Sequence, residues 1–182
     1  FCSERKAFLS GLKSIRKETG ESAATRPDSR PRLMLYAPGL GRADGEILDI
    51  IEEAGGNIVT DYVCTASARL RKRVPRWGVF ERPAETLVEE YLFNAPCPFM
   101  DDFGARLERM LRFAQWYRVH GLICYNPARD GLVSADLERL GEAFYTRLYI
   151  PALTIEEGPP PGDRPGLKER IENFIDIIGG RV

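Results

Sequence analysis

The sequence predicts an α/β fold: a parallel sheet of about four strands with flanking helices, preceded by an N-terminal amphipathic helix. Short apolar runs recur at 32–37, 57–63, 121–125 and 152–155. Helix-periodic segments separate them. Strand and helix therefore alternate, which requires right-handed crossovers between parallel strands. The organisation divides into a helix and linker over 1–30 and an α/β domain over 31–182.

Each element has its own signal. In 5–18, Phe8, Leu9, Leu12 and Ile15 fall on one helical face with Lys and Arg opposite, so this helix needs a partner surface, either the α/β domain or a second subunit. The polar stretch 20–31 is a linker. Arg32-Leu-Met-Leu-Tyr-Ala37 is a buried strand that meets a loop at Pro38-Gly39. Asp44 is placed to cap a helix carrying Ile47, Leu48, Ile51 and Ala54, which Gly55-Gly56 terminates. The segment 65–99 is irregular and proline-bearing, with a short helix at 84–91. Asp101-Asp102 opens a helix with Leu107, Met110, Leu111, Ala114 and Tyr117. A further helix over 134–148 turns Leu137, Leu140, Phe144 and Leu148 inward, and the last spans 167–178 beyond a Pro/Gly-rich loop. The connectivity is flavodoxin-like.

Composition excludes several function classes. The chain has 182 residues, 43% hydrophobic and 29% charged, with formal net charge -1. That balance favours neither nucleic acid nor an anionic membrane, and the basic run Arg69-Leu-Arg-Lys-Arg73 with Arg76 is open to two readings, a site for a phosphate or CoA tail or, more commonly for such runs, a solvated helix end. No apolar stretch approaches the roughly 20 residues of a membrane span. The chain opens at Phe1-Cys2 with neither Met nor leader, which reads as a processed chain or a piece of a longer one. Four cysteines lie far apart without a Cys-x-x-Cys pair, so neither a zinc ribbon nor a thioredoxin-like site is indicated, and reduced cytoplasmic thiols are expected.

In such a sheet ligands meet the loops at the carboxyl ends of strands. Asp61, Cys64, Asp130 and Glu156 fall there and are the substrate-facing candidates. Cys64 and Cys97 are open to two readings: thiolate ligands for iron, since soft sulfur suits iron–sulfur clusters, or buried small hydrophobes. Cys124 alternates within a strand and reads as core. The single histidine, His120, precedes its strand at the opposite end and reads as structural. Gly39, Gly41 and Gly45 suggest either turns or a flavin- or nucleotide-binding loop, although the spacing is not G-x-G-x-x-G.

Several segments, taken together and in order, resemble the 2-hydroxyacyl-CoA dehydratase and benzoyl-CoA reductase family. They are the Arg32 strand, Ile50-Ile-Glu-Glu-Ala-Gly-Gly56, Asp61-x-x-Cys64, Glu81-Arg-Pro83 before Tyr91, Pro96-Cys-Pro98, Gly121-Leu-Ile123, Ile150-Pro151 with Glu156, and Arg170 with Phe174. The similarity spans about 30–180 and looks like the C-terminal domain of a family subunit. The resemblance implies two-domain subunits that pair, a four-iron four-sulfur cluster in the full assembly, and an ATP-dependent activator delivering single electrons to a CoA thioester in anaerobic metabolism. Where the family strand runs on into Phe-Cys-Asp with a cluster-ligating Cys, this chain has Tyr125-Asn-Pro-Ala-Arg-Asp130-Gly, with Arg129 or Asp130 at the ligand position. The expectation is therefore a lyase- or reductase-type domain that holds no cluster alone and relies on an N-terminal domain or homologous partner subunit. The alternative is a non-catalytic interaction or scaffold domain of the same descent.

Overall fold

The computed structural model describes residues 2–23, 29–64, 81–89, 102–128, 130–156 and 165–180. Four parallel strands, β1 (Arg32–Ala37), β2 (Asn57–Val63), β3 (Gly121–Asn126) and β4 (Ala152–Glu156), form one sheet in the order β2-β1-β3-β4. Around them run helices α1 (Cys2–Ala23), α2 (Glu46–Glu53), α3 (Pro83–Val88), α4 (Phe103–Trp116), α5 (Gly131–Leu148) and α6 (Pro165–Gly179). The α/β fold and the N-terminal helix are as the sequence predicts.

The period-2 alternation of the strands sorts side chains into two cores. Met34, Tyr36, Leu122 and Cys124 pack with α4 and α5 through Met110, Phe113, Leu137 and Phe144. Leu33, Leu35, Ile123 and Tyr125 pack with α2 and α6 through Ile47, Ile51, Ile171 and Phe174. Both faces of β1 and β3 are thus covered, which is why these strands read as unbroken apolar runs. A register shift opposite Leu33/Met34 sets Ile58 against Leu33 and Thr60 against Met34.

Local chemistry fixes the boundaries. Gly55 adopts φ 88, and Gly56 N–H and Gly55 N–H bond the Ile51 and Glu52 carbonyls at 2.9 and 3.0 Å, a Schellman stop for α2. Asp102 caps α4 by accepting from Ala105 N–H at 3.0 Å. Three expected boundaries move. α5 begins at Gly131 instead of 134, because Asp130 accepts from Leu132 and Val133 N–H at 2.9 and 3.3 Å and so starts the helix earlier. α6 begins at Pro165, where proline suits the first helical turn. Asp44 does not cap α2: a 3-10 turn over Arg42–Gly45 intervenes, leaving Gly45 at the cap position and Asp44 free to bond elsewhere. The expected short helix appears as Pro83–Val88, and the rest of the 65–99 segment lies mostly outside the described residues.

Close packing at the amino edge of the sheet demands glycine. A Cβ at Gly121 would stand 2.3 Å from Ile178 Cδ1 and 3.1 Å from Leu33 Cδ2, so α6 lies directly on the start of β3. His120, just before it, accepts from Arg32 N–H through Nδ1 at 3.2 Å while its own N–H donates to the Arg32 carbonyl at 2.7 Å. The histidine serves as a structural clasp between β1 and β3, as expected.

Candidate functional site

The chain leaves β1 toward β2 on one side of the sheet and β3 toward β4 on the other. That reversal opens a crevice between the carboxyl ends of β1 and β3, where ligands of open α/β sheets bind. Its borders are the 38–44 loop and the turn from Asn126 to Asp130.

On the α2/α6 face, Tyr125 donates its hydroxyl proton to Asp44 Oδ1 at 3.3 Å, and Gly41 N–H donates to Asp44 Oδ2 at 2.7 Å. Asp44 therefore ties the loop after β1 to β3. A Cβ at Gly41 would crowd that carboxylate at 3.2 Å, so the glycine serves the turn.

On the α4/α5 face the central residue is Asn126, fully buried at the end of β3. Its Nδ2 lies within bonding distance of the Asp130 carbonyl (3.1 Å), Ser134 Oγ (3.2 Å) and Glu156 Oε1 (3.4 Å), and its Oδ1 accepts from Asp130 N–H at 3.3 Å. Ser134 Oγ lies against both the Asp130 carbonyl, at 2.9 Å, and the Glu156 carboxylate. A buried carboxamide has four bonding sites to satisfy, and here the turn, the first helical turn of α5 and the end of β4 supply the partners. The network closes the β3–α5 turn.

One layer beneath lies a second polar group. Tyr36, between Tyr62 and Cys124 in register, stacks on Tyr62 with centroids 6.3 Å apart. Its hydroxyl is buried without a hydrogen-bond partner among the described residues. Burial raises its ionisation well above the ordinary phenol range, against the opposing pull of Arg106, so it stays a neutral donor. Arg106, 1% exposed, pairs with Asp136. Arg139 also reaches Asp136 at 3.6 Å and lies over the Phe103 ring at 3.7 Å.

The four candidates divide. Asp130 and Glu156 are brought together through Asn126 and Ser134, with Asp130 committed by its side chain to capping α5. Cys64, half-buried just past β2, bears electrostatically on the Tyr36 hydroxyl and so belongs to the α4/α5 side. Asp61 does not join them. It pairs with Leu35, on the α2/α6 face, and its carboxylate accepts from Val63 N–H at 3.1 Å. Cys97 and Arg129 lie outside the described residues.

The donor chemistry bears on an iron–sulfur cluster, which takes several cysteine thiolates. Burial pushes the Cys124 thiol up to about 12, so it remains protonated core. Among the described residues no three His, Cys, Asp or Glu converge to hold a metal ion, and Cys64 is the sole thiol at the carboxyl edge. These residues do not supply a cluster's donor set.

Asn126, Ser134, Arg106 and Asp136 escaped sequence reasoning. A readable signal existed for the last two, since each charge sits inside an apolar helical stripe, Arg106 between Phe103 and Met110, Asp136 between Val133 and Leu140. A charge at a core position implies a buried partner. Asn126 left no such trace, because an Asn-Pro pair after a strand looks like any turn.

Residues 1–178 match the protein family described as 2-hydroxyglutaryl-CoA dehydratase, D-component. No curated protein matches the chain. Among the described residues no helix is long and apolar enough to cross a membrane.

Proposed function

Since this chain belongs to the 2-hydroxyglutaryl-CoA dehydratase D-component family and is a 2-hydroxyacyl-CoA dehydratase-type subunit, we propose that it acts as the C-terminal domain of such a subunit, contributing substrate-facing loops to reductive chemistry on a CoA thioester. The cluster and its single-electron supply, from an ATP-dependent activator, come in this reading from a partner domain or homologous subunit. The observation that carries it is the Asn126–Ser134–Glu156 network at the carboxyl ends of β3 and β4, beside the point where the strand order reverses. Here Glu156 presents a carboxylate oriented by neutral donors, suited to positioning a substrate hydroxyl. The Tyr36 phenol and the Arg106–Asp136 pair support that network from below. Benzoyl-CoA reductase-type chemistry is the sister reading on the same resemblance.

A scaffold role without catalysis is the second reading, and the closed turn favours it: where a thiolate would ligate, backbone and side-chain groups bond one another. Calorimetric titration with 2-hydroxyglutaryl-CoA and with free CoA separates the two. The catalytic-domain reading expects saturable binding of the thioester, at least ten-fold tighter than free CoA and weakened at least ten-fold by Glu156→Gln. Absence of thioester binding, with the fold intact by circular dichroism, overturns it in favour of the scaffold.

A further inference from the structure

Two carboxylates are bonded to consecutive residues at the end of β3, one on each face of the sheet. On the α2/α6 face Asp44 accepts from the Tyr125 hydroxyl at 3.3 Å and from Gly41 N–H at 2.7 Å. On the α4/α5 face Glu156 accepts from Asn126 Nδ2 at 3.4 Å and from the Ser134 hydroxyl. All four donors are neutral, so neither charge is met by an opposite one. Beside them the Asp130 carboxylate accepts from backbone N–H groups at the start of α5, where the helix dipole offsets part of its charge.

The cations of the two helices that start at this edge are engaged elsewhere. Arg106 of α4 pairs with Asp136, and Arg139 of α5 reaches Asp136 at 3.6 Å while lying over the Phe103 ring. Among the described residues no ion pair joins a Lys or Arg to Asp44, Asp130 or Glu156. These three carboxylates are also half-buried, a setting in which salt screens a charge less than it does in open water. A ligand group brought to the end of β3 therefore meets one sign of charge. The first turn of α5 adds Leu132, 73% exposed next to Asp130, an apolar contact that suits a hydrocarbon chain and not a carboxylate.

We propose that the acyl chain of this subunit's substrate carries no second carboxylate, so that it takes 2-hydroxyacyl-CoA thioesters with an uncharged side chain, and that Asp44 and Glu156 set this limit. The inference rests on the dehydratase reading above and narrows it. Selection of this kind works by repulsion: 2-hydroxyglutaryl-CoA brings a carboxylate at the far end of the same chain whose hydroxyl Glu156 positions, and like charges that close oppose binding.

Calorimetric titration of the full chain tests it with two ligands, 2-hydroxyglutaryl-CoA and the thioester in which the distal carboxylate is a carboxamide, which keeps the shape and removes the charge. The carboxamide should bind at least ten-fold tighter, and this ratio should narrow as ionic strength rises from about 0.01 to about 0.5 M. In Asp44→Asn/Glu156→Gln the ratio should approach one, because a ratio cancels any loss of affinity common to both ligands. Equal binding of the two thioesters, a ratio indifferent to salt, or a ratio unchanged in the folded double variant would each overturn the inference and leave the dehydratase reading standing. Binding of neither thioester, with the fold intact by circular dichroism, would overturn both.

Discussion

Arg106 and Asp136 show how a pair of residues can govern stability without being favourable in net terms. Drawing two charges out of water costs several kcal/mol per ion, and their attraction roughly offsets it. Removing one partner strands the other. We expect Asp136→Ala to lower unfolding free energy by about 3–5 kcal/mol, as for other broken buried pairs. The double variant Arg106→Met/Asp136→Leu should recover most of that loss in urea titrations. His120 supplies a second residue-scale expectation. Burial and the nearby Arg32 hold its ionisation below the ordinary imidazole value, so protonation opposes the folded state, in which Nδ1 must accept from Arg32 N–H. Its contribution to stability is complete above the unfolded value of about 6.5 and is lost as pH falls through the folded value. Between the unfolded value and the lower folded one, wild type should lose stability on acidification more steeply than His120→Asn, which keeps an acceptor and does not titrate. Equal slopes for the two proteins would remove histidine from the account.

At the scale of elements, packing separates what was legible from what was not. The strands β1 and β3 were readable because both faces are buried, leaving continuous apolar runs, and α4 and α5 because their stripes keep helical spacing. The start of α5 was misread because the periodic residues begin at Val133 while the cap at Asp130 decides the boundary. Asp44 was misread for a related reason. Its partner is Tyr125, eighty-one residues away, and no local pattern announces a bond across that separation. The candidate site was legible in position, through the rule that ligands meet strand carboxyl ends, but not in membership: Asp61 and Cys64 are three residues apart and yet lie on opposite faces. At Gly121 the contact of α6 with the start of β3 is the physical reason for glycine. A methyl group there must displace Ile178 and Leu33, so Gly121→Ala should cost about 1–3 kcal/mol, the usual range for overpacking, seen as a lowered midpoint in thermal unfolding. A midpoint within 1 °C of wild type would mean that α6 does not seat as described.

For the whole molecule, the family fixes the kind of subunit and the fold places an acidic, hydrogen-bonded network at the carboxyl ends of β3 and β4. The turn after β3 is closed on itself, with Asn126 bonding Asp130, Ser134 and Glu156. A network that satisfies its own donors and acceptors is rigid, so in the proposed reading it orients substrate groups while a partner delivers the electrons. The direct test is anaerobic reconstitution of the full chain with iron and sulfide, followed by metal and sulfide analysis and electron paramagnetic resonance after reduction. The account predicts no stoichiometric cluster in the wild-type chain and no change in Cys64→Ala or Cys97→Ala. A four-iron four-sulfur cluster at full occupancy, abolished by either substitution, would contradict it.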